Sequence, residues 1–386
     1  MNKRHRQLIA SLCASKLADL LISAKTTLPA LMLVVGAPVW MVSWLVPIRE
    51  SGALLPQALL GVWLRNMPAR HKVWRTGMVL QFLAVTGIAL AASTFDGVQA
   101  GYGILLGLIL LSLGRSVCSL TMKDIQADIV SKGQRGRVLG MASTLSGVLT
   151  LCIAVPFTWW SNQLDKSLAV AIIAFASLSY LLGLLALISN RTEVESPSRQ
   201  GDGIKWKVDS TVWRFIAVRG FFVHSALLAP YFMVQSEQDA MQLLPYFLAA
   251  QALATMLSSF MWGKIADISA RLTLQLSGWL ALIACGLHYW LPGNSVYAAG
   301  VCFFVLALAH TGVRAGRKTY SLDVKEGQQR TELVAFSNTA IGIILLAFGA
   351  GYAVLAATTQ IDIIAIMAVA LLIGILLTLI LPAEKS

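Results

Sequence analysis

Charge is scarce in this sequence. Of 386 residues only 12% are Asp, Glu, Lys or Arg, against roughly a quarter in a soluble globular domain. Mean hydropathy is +0.73. Cysteine is also sparse: Cys13, Cys118, Cys152, Cys285 and Cys302 all lie in apolar stretches, with no Cys-x-x-Cys pair. That pattern excludes a disulfide framework and a thiolate metal site, leaving five small hydrophobes. Catalytic signatures are missing as well. No Gly-x-x-x-x-Gly-Lys-Ser/Thr, His-Glu-x-x-His or Gly-x-Ser-x-Gly occurs, so an ATP-driven pump, a zinc hydrolase and a serine hydrolase have no footing. The expectation is a non-enzyme with no cofactor and no metal.

What the chain does have is apolar runs of about 20 residues, enough to cross a bilayer as helices. Their lack of strict alternation excludes a barrel, and backbone groups in hydrocarbon must then pair within each segment. The expected fold is all-α and integral to the membrane, with twelve transmembrane helices in two pseudo-symmetric six-helix halves. Six spans lie near 8–32, 37–63, 75–94, 100–122, 138–161 and 167–189. Six more lie near 212–235, 241–265, 272–291, 295–316, 333–357 and 362–382. The expected organisation is a bundle over 1–190, a polar linker over 191–211 and a bundle over 212–386. The start, Met1–Arg6, resembles a signal-peptide n-region, but Lys16, Asp19 and Lys25 make the next segment too polar to be cleaved.

The formal net charge of +12 reflects topology. Twenty-two Lys and Arg residues fall in loops on one side of this layout, and Lys166 alone on the other. The excess predicts both termini and the linker in the cytoplasm of a multi-pass protein of the inner or plasma membrane. It gives no reason to expect a nucleic-acid partner. Trp40, Trp44, Trp159, Trp160, Tyr289 and Trp290 read as interfacial anchors. Gly136, Gly140 and Gly147 read as helix-packing positions.

The halves share a register. Lys123, Asp128, Gln134 and Arg135 have counterparts 195 positions later in Lys318, Asp323, Gln329 and Arg330, and Arg115 has one in His310. With Gly263-Lys264-Ile265-Ala266-Asp267-Ile268-Ser269-Ala270-Arg271 after the eighth span, this layout resembles the major facilitator superfamily of secondary transporters. That family carries Gly-x-x-x-Asp-Arg-x-Gly-Arg in the loop after the second helix of each half. The first-half loop, Gly61 to Arg70, departs from it: Arg65 stands where the Asp is expected. The fifth-helix signature of drug/proton antiporters is also missing, although Gly147 and Pro156 are present. The resemblance implies alternating access, with Asp267 latching a neighbouring helix end. It also implies state-dependent contacts by loops that carry Gly61, Arg65, Asp128, Arg135, Gly263, Asp267, Arg271, Asp323 and Arg330.

Charges inside spans identify a candidate site, because each costs roughly 2.5–3.5 kcal/mol at mid-helix. Lys16 and Asp19 share a helix face; Lys25 falls on the far side, with a stem able to snorkel outward. Arg49 and Glu50 lie near the midplane between Pro47 and Pro56, which predicts a bend there. Arg115, Arg219 and His224 complete the set. Asp19 is the first candidate for a proton-carrying carboxylate and Glu50 the second; permanent pairing of Asp19 or Glu50 with Arg49 is the structural alternative. Arg314, Arg317 and Lys318 are expected to snorkel to the surface. If these groups face one cavity, Lys16, Arg49, Arg115 and Arg219 outnumber Asp19 and Glu50, favouring an anionic solute. The expected function is secondary transport of a small anion by a monomer in the lipid bilayer, with protons as the expected coupling ion. A lipid or lysolipid flippase and a non-transporting sensor or assembly factor stay open.

Overall fold

The structure, a computed structural model, describes residues 3–65, 67–131, 134–193, 209–324 and 327–382. Among the described residues there are sixteen α-helices, two short 3-10 turns and no strand. The first group comprises α1 (Lys3–Leu21), α2 (Thr27–Val34), α3 (Val39–Val42), α4 (Leu45–Leu54), α5 (Pro56–Arg65), α6 (Arg70–Thr94), α7 (Gly97–Ile129), α8 (Arg135–Thr158) and α9 (Lys166–Ala186). The second comprises α10 (Ser210–Phe222), α11 (His224–Val234), α12 (Ala240–Ile268), α13 (Ala270–Trp290), α14 (Val296–Asp323), α15 (Gly327–Thr358) and α16 (Ile363–Leu377).

Short polar side chains set many of the starts. Asp165, Asp209, Asp239, Ser269, Ser295 and Asp362 each accept a backbone N–H from the first turn of the helix that follows. Such caps satisfy donors that the helix itself leaves open. Apolar length then carries the helices across. Ten helical segments among the described residues are long and apolar enough to cross a membrane. The outer surface is apolar too, with Leu83, Leu90, Leu106, Val354 and Val369 each more than half exposed. So broad an exposed apolar belt suits hydrocarbon rather than water. Trp159, Trp160, Tyr289 and Trp290 are exposed at helix ends, while Trp40 and Trp44 pack against the core.

Packing in the first group recurs in the second. α7 packs on α6 and α4, and α9 on α6 and α1; likewise α14 packs on α13 and α12, and α16 on α13 and α10. Glycines permit the closest of these approaches. A Cβ at Gly107 would sit 2.4 Å from Ile88, and one at Gly312 would sit 2.5 Å from Trp262. Across the groups, α8 packs on α12 and α4 on α15. Gly147 serves that seam, against Met256, whereas Gly136 and Gly140 meet no neighbour and are not packing positions.

Three expected spans are broken in the structure. The stretch 8–32 is not one helix: α1 ends at Leu21, and the chain turns before α2. Ser23 stabilises the turn by accepting the Lys25 N–H at 3.2 Å, and Pro29 suits the first turn of α2, where no partner for its missing N–H is needed. The stretch 37–63 is divided into α3, α4 and α5. Its breaks fall at Ser43–Trp44 and at Leu55, so α4 runs unbroken through Arg49 and Glu50, where a bend was expected. The first helix of the second group is similarly broken, at Val223 between α10 and α11.

Candidate functional site

The charges carried by α1, α4 and α7 converge. Asp19 on α1 accepts from Arg49 Nη2 on α4 at 2.6 Å and from Arg115 Nη1 on α7. The Tyr180 hydroxyl on α9 donates to the same carboxylate at 2.8 Å. One carboxylate thus ties four helices of the first group together. Lys16, one turn earlier on α1, donates to the Ser143 hydroxyl on α8. Lys25 sits in the break after α1 and approaches Glu50 of α4 at 3.9 Å. Since α1 ends at Leu21, helical spacing no longer governs Lys25; it turns inward instead of snorkelling outward.

These side chains line two adjoining cavities of about 250 Å³ each. Asp19, Lys25, Arg115, Gln251 and Arg314 belong to both. The first group supplies Lys16, Ser23, Arg49 and Glu50 as well; the second adds Ser225, Thr255, His310 and Thr311. Ser23 donates to Gln251 Oε1 at 3.0 Å, joining the α1–α2 break to α12. A discontinuous helix that faces a cavity leaves backbone groups there for a ligand or water, the one setting in which such a break is tolerated at membrane depth. Five cationic side chains (Lys16, Lys25, Arg49, Arg115 and Arg314) face two anionic ones (Asp19 and Glu50) across this space.

A smaller cavity of about 20 Å³ adjoins Glu50 and is lined also by Arg219, His310 and Arg317. Arg219 on α10 is 7% exposed and donates to Ser337 Oγ at 2.7 Å and Asn338 Oδ1 at 3.0 Å. It therefore stands beside the main cavity, not in it. His224 is a correction. It is fully buried, its ring packs edge-on to Phe348 and Tyr352, and Nδ1 bonds the Phe221 carbonyl, so it faces neither larger cavity. Arg314 and Arg317 correct the expectation in the opposite direction, because both line cavities rather than the surface. Sequence spacing placed them near a helix end, but α14 continues to Asp323.

The loops near the chain termini behave differently from the family pattern. Asp128 accepts from Arg4 at 2.9 Å and from Thr192 at 2.8 Å. Arg135 does not reach Asp128; it bonds the Val130 and Ala127 carbonyls and so caps α7. Arg70, at the end of the first-group loop, pairs with Asp124 at 2.9 Å and donates to the Leu64 carbonyl at 2.7 Å. Arg271 bonds the Leu379 carbonyl at 3.1 Å. Gly263 and Asp267 lie in the last turns of α12, and Asp323 ends α14. Gly61 and Arg65 fall in α5 and Arg330 in α15, but their side chains lie outside the described residues, as does 194–208 of the expected linker.

At the end of the bundle away from the termini the two groups meet. Tyr231 on α11 donates to the Ser43 hydroxyl at 2.7 Å, and Tyr246 on α12 to the Thr158 carbonyl at 3.4 Å. Asp362 caps α16 there; burial raises its carboxyl, but hydrogen bonds from Tyr289, Gln235 and two backbone N–H groups outweigh this and hold it below its ordinary value.

No family model and no characterised protein matches the chain in sequence. Solved structures match its fold. The inward-open xylose transporter XylE from E. coli superposes with a TM-score of 0.70 at 12% identity, over 100% of this chain and 97% of that one. A bacterial homologue of the iron transporter ferroportin gives 0.66 at 16% identity in its inward-facing state, over 97% and 98%. Its outward-facing state, with soaked iron, gives 0.55 at 15% identity with the same coverage. The chain therefore has the fold of membrane transporters of the major facilitator type.

Proposed function

We propose that this protein is a secondary transporter that moves a small organic or inorganic anion by alternating access. The observation that carries the reading is the cavity between the helix groups, walled by five cationic and two anionic side chains. In a low-dielectric enclosure such a surplus attracts anions and repels cations. Two neighbours with this fold carry sugar and iron by name, so the cargo has to be argued from this cavity. Iron does not suit it: among the described residues no cluster of three or more His, Cys, Asp or Glu occurs, and the cation surplus opposes a cationic cargo.

The chain is read as twelve spans, with α1–α2, α3–α5 and α10–α11 each counting as one broken span. Two halves, 1–190 and 212–386, joined by the linker 191–211, rock about the cavity. Both termini lie in the cytoplasm, as the basic loops require. Closer likeness to the inward-facing neighbour, together with the Tyr231–Ser43 contact at the far end, favours a state open toward the terminus-bearing side. Coupling to protons falls to Glu50 rather than Asp19, since Asp19 is engaged by two guanidinium groups and a tyrosine.

Uptake of radiolabelled phosphate and dicarboxylates into proteoliposomes, with and without a pH gradient, tests the reading. Accumulation above protein-free vesicles is expected. Scrambling of labelled lipid without anion uptake would transfer the reading to a flippase. Uptake by Glu50→Gln that keeps its full dependence on the gradient would remove the proton.

A further inference from the structure

The cations around the cavity are not equivalent. Arg49 and Arg115 are both spent on Asp19, and Lys16 on Ser143. Three others have no such commitment. Lys25 has only a 3.9 Å approach to Glu50. Arg314 is exposed to both larger cavities, and Arg317 to the smaller one, without a hydrogen bond or ion pair among the described residues. Glu50 lies where these three meet: it lines the second larger cavity with Lys25 and Arg314, and the smaller one with Arg317, Arg219 and His310. The Nε of Arg219, in a side chain more than nine-tenths buried, has no hydrogen-bond partner among the described residues. So one acid faces several cations, from the α1–α2 break, α10 and α14, and pairs closely with none.

From this we infer that Lys25, Arg314 and Arg317 form the anion seat, and that Glu50 is its resident, displaceable counter-ion. A solute oxyanion, carboxylate or phosphate, takes the place that the Glu50 carboxylate holds in the empty protein. Guanidinium groups present paired donors that match either oxyanion, and Lys25 adds a point charge from the opposite helix group. Arg49 and Arg115, which sequence spacing nominated, are structural. This assignment rests on the anion reading above, but binding and transport can fail separately.

The test is thermal unfolding of the purified protein titrated with inorganic phosphate. Succinate serves as the carboxylate arm, and chloride at matched ionic strength as the background. Removing the internal competitor should tighten binding: the half-maximal phosphate or succinate concentration is expected to fall at least about tenfold in Glu50→Gln, equivalent to about 1.4 kcal/mol. The gain should disappear in Glu50→Gln/Arg314→Gln. Arg314→Gln alone, at a residue exposed to the cavities, is expected to raise the value about tenfold or more, giving a second reading if Glu50→Gln does not fold. Equal or absent responses in wild type and Glu50→Gln, a gain that survives the double variant, or an unchanged value for Arg314→Gln overturns the inference. Anion uptake with an unshifted Glu50→Gln titration defeats this assignment alone; a shifted titration without uptake defeats transport alone.

Discussion

Replacing Asp19 by Asn tests whether the first group is held by one carboxylate. The substitution keeps the shape and removes the charge that Arg49 and Arg115 both face. Asp19 and Arg49 are 17% and 16% exposed in their side chains, so that pair is largely desolvated; Arg115, at 37%, is partly screened by the cavity. Breaking a buried ion pair from one side typically costs about 3–5 kcal/mol, because the orphaned charge stays behind. The partial exposure of Arg115 argues for the lower end, about 3 kcal/mol. Chemical unfolding in detergent micelles of wild type, Asp19→Asn, Arg49→Gln and the double variant gives the assay. The double variant leaves fewer unpaired charges, so its loss should fall short of the summed single losses by about 2 kcal/mol. A loss below about 0.5 kcal/mol for Asp19→Asn, or strict additivity, would refute the account.

Other predictions concern packing, capping and the far-end contact. Gly312→Ala places a methyl within 2.7 Å of both Trp262 and Ser277; overpacking of that kind should cost about 1–3 kcal/mol, read by the same unfolding assay. Asp362→Ala removes acceptors for the Ile364 and Ala365 N–H groups and should cost about 1 kcal/mol at neutral pH. Because the Asp362 carboxyl titrates below its ordinary value when folded, its contribution is present above the unfolded value and lost as pH falls through the folded one. The gap between wild type and Asp362→Ala should therefore close toward acid; a gap constant with pH would count against the capping role. Tyr231→Phe deletes the bond to Ser43, worth about 1 kcal/mol, and should shift the balance of states about fivefold toward opening at that end. Maleimide labelling of a cysteine placed in the cavity, from the side away from the termini, reads the shift.

What could be read from the sequence follows from energetics. An Asp, two Arg and a Lys inside apolar runs must find one another or water, so Lys16, Asp19, Arg49 and Arg115 were identifiable as a set before any fold was known. Their division into pairs was not, since pairing depends on how α1, α4, α7 and α9 pack. Lys25 was misplaced because helical periodicity was carried past Leu21, and nothing in Ile22–Thr26 except Ser23 and Thr26 marks the turn. Arg314 and Arg317 were misplaced because a span of about 20 residues ends sooner than α14, which continues to Asp323. Arg219 illustrates a different limit: its partners Ser337 and Asn338 are neutral, and neutral polar residues in an apolar helix carry no sign to match.

The distribution of charge bears on how binding could move the bundle. Asp19 neutralises cations within the first group, so that cluster is the same whether the groups are together or apart. Lys25 and Glu50 also belong to the first group, but they share a cavity with Arg314 of the second, and Glu50 shares the smaller one with Arg317. An anion between Lys25 and Arg314 would therefore attract both groups at once, whereas Glu50 alone can reach across only from its own side. A ligand shifts a conformational equilibrium only by its difference in affinity for the two states. A seat built from both groups supplies that difference, because separating them parts Lys25 from Arg314 and Arg317. A seat built from Arg49 and Arg115 would bind equally well in either state and drive nothing. Cross-group ligation is thus the feature that would turn an anion-binding cavity into a transporter. Distances across Lys25 and Arg314, measured by spin labels on α2 and α14 with and without phosphate, should shorten on binding; unchanged distances with phosphate bound would leave a receptor rather than a carrier.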